Sequence, residues 1–246
     1  MTSEPILETR GVSQHFGGLV ANRDISIAVA RGEIVGLIGP NGAGKSTLFN
    51  LIAGVAPPTH GSIWFDGANV TSLPATGRCQ RGIARTFQVV KSFDGMSVID
   101  NVIVGALVRA HSVRAARDHA VEVLQFTGLG QRAEALASDL TPSEKRRLEI
   151  ARALATAPKL LLLDEVLTGL TPAEAQRGVE LVRAIRERGT TILMVEHVME
   201  IVMPLVDRAI VLDLGSVLAE GKPADVVRNP AVISAYLGER HRARSA

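Results

Sequence analysis

A chain of 246 residues is long enough to bury a sizeable core and suits one large α/β domain or one with a nested subdomain. Its formal charge of +2, with acidic and basic residues mixed along the chain, and its 3% aromatic residues exclude the basic, base-stacking surface of a nucleic-acid binder. The single cysteine, Cys79, excludes an intrachain disulfide and fits a reduced compartment, residues 1–5 lack the layout of a secretory signal, and no apolar run approaches the roughly 18–20 residues of a membrane span, so a soluble protein is expected unless a membrane protein holds it.

Residues 6–30 alternate apolar and polar positions weakly, as in Ile25-Ser26-Ile27-Ala28-Val29, and predict antiparallel strands. Phe16, before Gly17 and Gly18, reads on spacing alone as a half-buried aromatic in a turn. Residues 33–38 predict a short buried strand, and residues 46–53 a helix ending near Gly54. Between them lies Gly39-Pro40-Asn41-Gly42-Ala43-Gly44-Lys45-Ser46-Thr47, which matches the G-x-x-x-x-G-K-[ST] phosphate-binding loop at every fixed position. A strand, a glycine loop and a helix N-terminus make a cup of inward-pointing N–H groups, and the helix dipole adds to it. Lys45 is expected to meet the β- and γ-phosphates of a nucleoside triphosphate, and the Ser46 hydroxyl to ligate Mg²⁺.

A turn at residues 57–61 and a strand at 62–67 follow. From about 89 to 155 proline is nearly absent and Ala, Val, Leu and Arg dominate, which predicts a helical insert. Its candidate helices are 100–110, 115–127 and one beginning at Thr141-Pro142-Ser143-Glu144. That last start has a hydroxyl N-cap, Pro at the first helical position and Glu at the third, a capping box. Leu148, Ala151 and Leu154 fall on one face of this helix, and Lys145, Arg146 and Arg152 read as a solvated face.

The run Leu160-Leu161-Leu162-Leu163 predicts a fully buried parallel strand ending in Asp164 and Glu165 at the edge where α/β proteins place ligands. A helix is predicted over 172–187, a second buried strand over 191–195 ending in Glu196 and His197, and a hairpin around Leu214 and Gly215. With an intact phosphate loop, Asp164 is placed to anchor Mg²⁺, Glu165 to polarise the attacking water, and His197 to contact the γ-phosphate. A switch GTPase would need a guanine-reading N-K-x-D stretch, and the chain has none.

The phosphate loop, Arg85-Thr86-Phe87-Gln88, the leucine run into Asp164 and Glu165, and Val195-Glu196-His197 together resemble the nucleotide-binding subunit of ATP-binding cassette (ABC) transporters over nearly the whole chain. The resemblance implies a single nucleotide-binding domain over 6–238, with a basic tail at 239–246. Its fold would be a P-loop NTPase (RecA-like) core with an antiparallel β subdomain and a helical subdomain at about 89–155. It implies ATP and Mg²⁺ as cofactors, Glu165 as the catalytic carboxylate and His197 as the switch histidine. Gln88 would sense the γ-phosphate and the metal, and Phe16 would stack on adenine. Phe16-Gly17-Gly18-Leu19-Val20-Ala21 and the tail from Ala219 through Asn229-Pro230 to Gly238 are similar to branched-chain amino acid importers. Related importers of urea or short amides share much of this, and a non-transport ABC ATPase is the alternative. The implied partners are a second cassette, membrane-spanning permease subunits and, indirectly, a substrate-binding protein. The implied location is cytoplasmic, on the inner face of the membrane.

Two stretches depart from the family pattern. The signature, usually Leu-Ser-Gly-Gly-Gln, is Leu140-Thr141-Pro142-Ser143-Glu144 here, and Thr171 stands where many members carry Asp. In the family the signature of one subunit caps the ATP of the other. Pro142 has no N–H to donate and Ser143 adds a Cβ, leaving the Ser143 and Glu144 N–H groups and the Thr141 hydroxyl as donors. Motifs for the chain's own ATP are intact and the motif for the partner's is eroded, which favours a heterodimer over a homodimer.

Overall fold

In the computed structural model, residues 4–87 and 91–242 are described, without the side chains of 237–242. Gln88 and residues 243–246 of the expected tail therefore lie outside the described residues.

Two sheets organise the fold. β1 (Pro5–Phe16) and β2 (Leu19–Ala30) form the expected antiparallel pair, joined by β4 (His60–Phe65) and the short β5 (Ala68–Asn69) in the order β2-β1-β4-β5. Phe16 is the last residue of β1, paired with Leu19, and only the two glycines after it form the turn. The second sheet contains β3 (Ile34–Ile38), β6 (Ile83–Arg85), β7 (Leu160–Asp164), β8 (Thr191–Val195), β9 (Arg208–Asp213) and β10 (Ser216–Gly221). Their order is β10-β9-β3-β8-β7-β6, all parallel except the β9–β10 hairpin.

Every residue of β3, β7 and β8 is buried, as continuous apolar runs require when both faces of a sheet are covered. Their side chains divide with the period of two that a strand imposes. Val35, Leu37, Leu160, Leu162, Leu193 and Val195 join one core with the antiparallel sheet and α1 (Lys45–Ala53). Ile34, Ile38, Leu161, Leu163, Ile192 and Met194 join the opposite core, with residues of α5 (Pro142–Leu154) and α6 (Pro172–Glu187). The short α2 (Ala75–Arg81) leads into β6, and a third core lies among α3 (Val98–Ala106), α4 (Val113–Phe126) and α5.

α5 thus sits astride two cores, with Ile150 and Ala153 in one and Leu148 and Ala151 in the other. Its N-terminus has the expected capping box, and α6 has a second one built by Thr171 and Glu174. At Thr171 the threonine hydroxyl does the capping that an Asp would do. The register pairs Leu37 and Asp164 each with Val195, so the ends of β3, β7 and β8 lie at one edge of the sheet. Among the described residues no helix is long and apolar enough to cross a membrane.

Candidate functional site

The loop between β3 and α1 has the strand–loop–helix setting that its glycine pattern demands. Gly39 has φ 146, and a Cβ there would lie 2.1 Å from the Leu212 carbonyl oxygen. Gly44, at φ 97 before α1, would place a Cβ 2.4 Å from the Ala21 carbonyl oxygen. Both positions combine a backbone conformation closed to L side chains with a neighbour that cannot yield. The loop is braced from two strands away: buried Asn22 donates from Nδ2 to Gly44 O at 3.1 Å, and Gly215 donates its N–H to Ala43 O at 3.2 Å.

Lys45 is buried, and its ammonium donates to Gly39 O at 2.7 Å and Pro40 O at 2.8 Å. The cation therefore lies within its own loop. Asn41, Gly42, Ala43, Gly44, Lys45, Ser46 and Thr47 line a cleft of about 400 Å³ whose other walls include Phe16, Leu19, Glu165 and His197. Phe16 is 55% exposed at its mouth, an apolar ring with one face to give to a planar ligand.

Glu165 follows β7 with φ 51, unusual for a non-glycine residue. Strain of this kind costs on the order of 1–3 kcal/mol and persists where the surroundings over-determine it. Here the Glu165 N–H donates to Val195 O at 2.9 Å, and Arg146 Nη1 donates to Glu165 O at 2.6 Å. The turn aims the carboxylate at His197, whose Nε2 donates to Glu165 Oε1 at 2.6 Å. Asp164 is 3% exposed; its Oδ2 accepts from Arg85 Nη2 at 2.8 Å while its Oδ1 is buried with no partner. Arg85 also donates to Asn50 Oδ1 and to Thr86 O, so one guanidinium ties β6, α1 and the end of β7 together.

Glu196 is buried beside this edge and accepts from the Leu167 N–H at 2.6 Å and the Thr168 hydroxyl at 3.0 Å. Burial pushes its carboxyl above the usual range, against those two hydrogen bonds. It holds the loop after Glu165 to the end of β8.

Phe16, residues 41–47, Glu165 and His197 are thus brought to one cleft, with the Gly39 and Pro40 carbonyls behind it on the Lys45 ammonium and Asp164 next to Glu165 in the chain. Thr141 and Ser143 do not line it. At the start of α5, Thr141 Oγ1 accepts from the Glu144 N–H at 3.3 Å, and Glu144 Oε2 accepts from the Thr141 N–H at 2.9 Å. The Ser143 hydroxyl lies near enough to Glu174 on α6 to help hold that carboxyl below its usual range, after Thr171. Of the donors expected there, the Glu144 N–H already serves the cap. Glu144 itself is held below the usual carboxylate range, first by the Thr141 backbone N–H and more weakly by Arg132 at 3.5 Å.

The solvated-face reading of α5 is overturned. Lys145 lies 3.7 Å from Asp94, Arg146 holds Glu165 O, and Arg152 donates to Lys91 O. Arginine and lysine stems can lie along apolar surface while their heads find distant carbonyls, which helical spacing does not reveal. Asn22, Arg85 and Glu149 carry structural roles that sequence reasoning assigned to none of them. Arg85 lay inside a quoted motif, whereas Asn22 and Glu149 gave no local signal.

Residues 22–168 match the ABC transporter family, and residues 216–242 match the branched-chain amino acid ATP-binding cassette transporter family. The chain is 40% identical to LivG of Salmonella typhimurium, over 96% of this chain and 99% of LivG. It is 38% identical to BraF of Pseudomonas aeruginosa over the same shares. Both are described as high-affinity branched-chain amino acid transport ATP-binding proteins. Among solved structures, the ADP conformation of MJ1267, an ATP-binding cassette of an ABC transporter, superposes with a TM-score of 0.87 at 30% identity, over 96% of this chain and all of that one. The dimeric MJ0796 cassette bound to ADP and Pi gives 0.80 at 25% identity, over 88% and 98% of the two chains.

Proposed function

The chain belongs to the ABC transporter family of ATP-binding proteins, and from that premise we propose that it binds and hydrolyses ATP to drive import of branched-chain or other hydrophobic amino acids. The observation that carries the hydrolytic reading is the pair of Glu165 and His197 facing the phosphate loop across one cleft. ATP enters with adenine on Phe16 and its phosphates in the loop, where the Lys45 ammonium turns from two carbonyls to the phosphate oxygens. Glu165 then accepts a hydrogen bond from the attacking water and polarises it, and the single His197 N–H that aims the carboxylate is the donor that would turn to the γ-phosphate.

The residues present fit Mg²⁺. The orphaned Asp164 Oδ1 and the exposed Ser46 hydroxyl are oxygen donors of the kind the ion takes, and Gln88 is the third expected ligand. When bound there, Mg²⁺ neutralises charge on the β- and γ-phosphate oxygens.

Permease subunits are the membrane partners this reading requires, and they would hold the protein at the inner face of the membrane. A groove of about 330 Å³ lined by Val55, Phe87, Val104 and Val108, each more than a third exposed, offers them an apolar seat beside the end of β6. The second cassette of the dimer is a different chain with a more regular signature. The capping box uses the Glu144 N–H and adds a carboxylate at the place where the partner's γ-phosphate would be capped. Losing about one charge-assisted hydrogen bond costs roughly 1.5–3 kcal/mol, or about 10- to 150-fold in rate. The test blocks each site of the assembled transporter separately, with Lys45→Ala here and the matching lysine in the partner. Blocking this chain's site removes most ATPase activity and blocking the partner's removes little; equal losses contradict the asymmetry.

A further inference from the structure

Glu149 is a buried carboxylate on α5 with no part in the chemistry above. It lies in the floor of the apolar groove, and its Oε1 accepts the Phe87 N–H at 3.0 Å. One turn along α5, Arg152 donates to Lys91 O, and the Lys91 backbone also favours the ionised form of Glu149. The helix therefore grips the chain through Glu149 and Arg152 just after β6. On its other side the same short stretch is tied to the nucleotide site. Arg85 is paired with Asp164 at 2.8 Å, and the Asp164 N–H donates to Thr86 Oγ1 at 3.0 Å. Three consecutive residues, Arg85, Thr86 and Phe87, thus join Asp164, the carboxylate proposed above for the metal, to α5, the helix whose N-terminus is proposed for the partner's ATP.

We infer that Glu149 is a positioning residue that makes the N-terminal end of α5 follow the state of this chain's own nucleotide site. The inference rests on the reading of Asp164 and of the start of α5 given above. Apolar contacts of Ile150 and Ala153 also hold α5 to the sheet, but such contacts are non-directional and let a helix slide. A hydrogen bond with a required angle and distance fixes its register against β6. A glutamine would accept the same N–H without the cost of burying a charge, so a carboxylate here brings titration with it. Burial pushes the Glu149 carboxyl up to about 7, against the Phe87 N–H and the positive charges of Arg152 and Arg146. Arg85, Lys91 and the Cys79 thiol also face the groove. Above pH 7 the ionised carboxylate holds Phe87 more strongly than its protonated form does.

The test measures ATPase activity of the assembled transporter between pH 6 and 9, for wild type, Glu149→Ala and Glu149→Gln. ATP affinity by calorimetry and thermal melting of the isolated chain accompany it. Glu149→Ala lowers kcat about tenfold with KM and ATP affinity unchanged. Glu149→Gln matches the wild-type kcat near pH 6, where both side chains are neutral acceptors, and lacks the rise of kcat expected of wild type between pH 6 and 8. Wild-type kcat in Glu149→Ala overturns the inference, as does a loss that follows the melting temperature or KM, or a wild-type pH profile in Glu149→Gln. A wild-type transporter without ATPase activity overturns the functional reading itself, so the two failures are distinct.

Discussion

Removing the Arg85 guanidinium is the most demanding test of how the site is held. In Arg85→Met the stem volume stays but Asp164, 3% exposed, loses its only cation within 4 Å among the described residues. Breaking a buried pair from one side typically costs about 3–5 kcal/mol, because the remaining charge keeps its desolvation penalty and loses its compensation. The lost hydrogen bonds to Asn50 and Thr86 O act in the same direction. Against a total stability of about 5–15 kcal/mol, the variant should unfold at clearly lower urea with an unchanged slope. Replacing both partners, Arg85→Met with Asp164→Asn, removes the orphaned charge and should recover about 2–3 kcal/mol of the loss. Urea unfolding followed by circular dichroism measures all three variants. A loss below about 1 kcal/mol for Arg85→Met, or single losses that add in the double variant, would refute the claim that the pair is a coupled, desolvated unit.

Lys45→Ala should weaken ATP binding by about 100-fold or more in calorimetry, since phosphate charge is left uncompensated in a partly desolvated loop; unchanged affinity contradicts the role of the loop. Gly44→Ala forces a Cβ within 2.4 Å of Ala21 O at a φ of 97, so it should lower the melting temperature and abolish ATP binding together, and a variant that binds normally refutes the packing argument. Glu149 has a folded-state pKa of about 7 above its unfolded value of 4.5, so its contribution to stability is full below pH 4.5 and lost as pH rises through 7. Glu149→Gln should therefore flatten stability against pH across that window by about 1–3 kcal/mol, measured by urea unfolding, and an unchanged slope removes Glu149 as its source.

The parts of the fold that the sequence announces are those with local physical rules. The loop glycines mark torsions and close approaches, the leucine run before Asp164 marks a strand covered on both faces, and two Thr-Pro-x-Glu starts mark helix caps. The parts it conceals are side-chain hydrogen bonds across long separations. Arg85 meets a carboxylate 79 positions away, Asn22 braces a carbonyl 22 positions away, and Glu149 accepts an N–H 62 positions away. Periodicity places such residues on a face of an element but does not say what approaches that face, so the half-buried basic residues of α5 read as solvated. The pairing of Glu165 with His197 was legible only as two strand ends; the positive φ that turns one carboxylate toward the other strand is a tertiary result.

The claim on which the rest depends is that Glu165 activates the water that attacks ATP. Glu165→Gln keeps the side chain's shape but accepts a proton and polarises water poorly. In the assembled transporter, ATP binding to this chain should match wild type while phosphate release from its site falls by about 100-fold or more, with the ATP-bound dimer accumulating. Wild-type phosphate release from Glu165→Gln, with the partner's site blocked, would contradict the account.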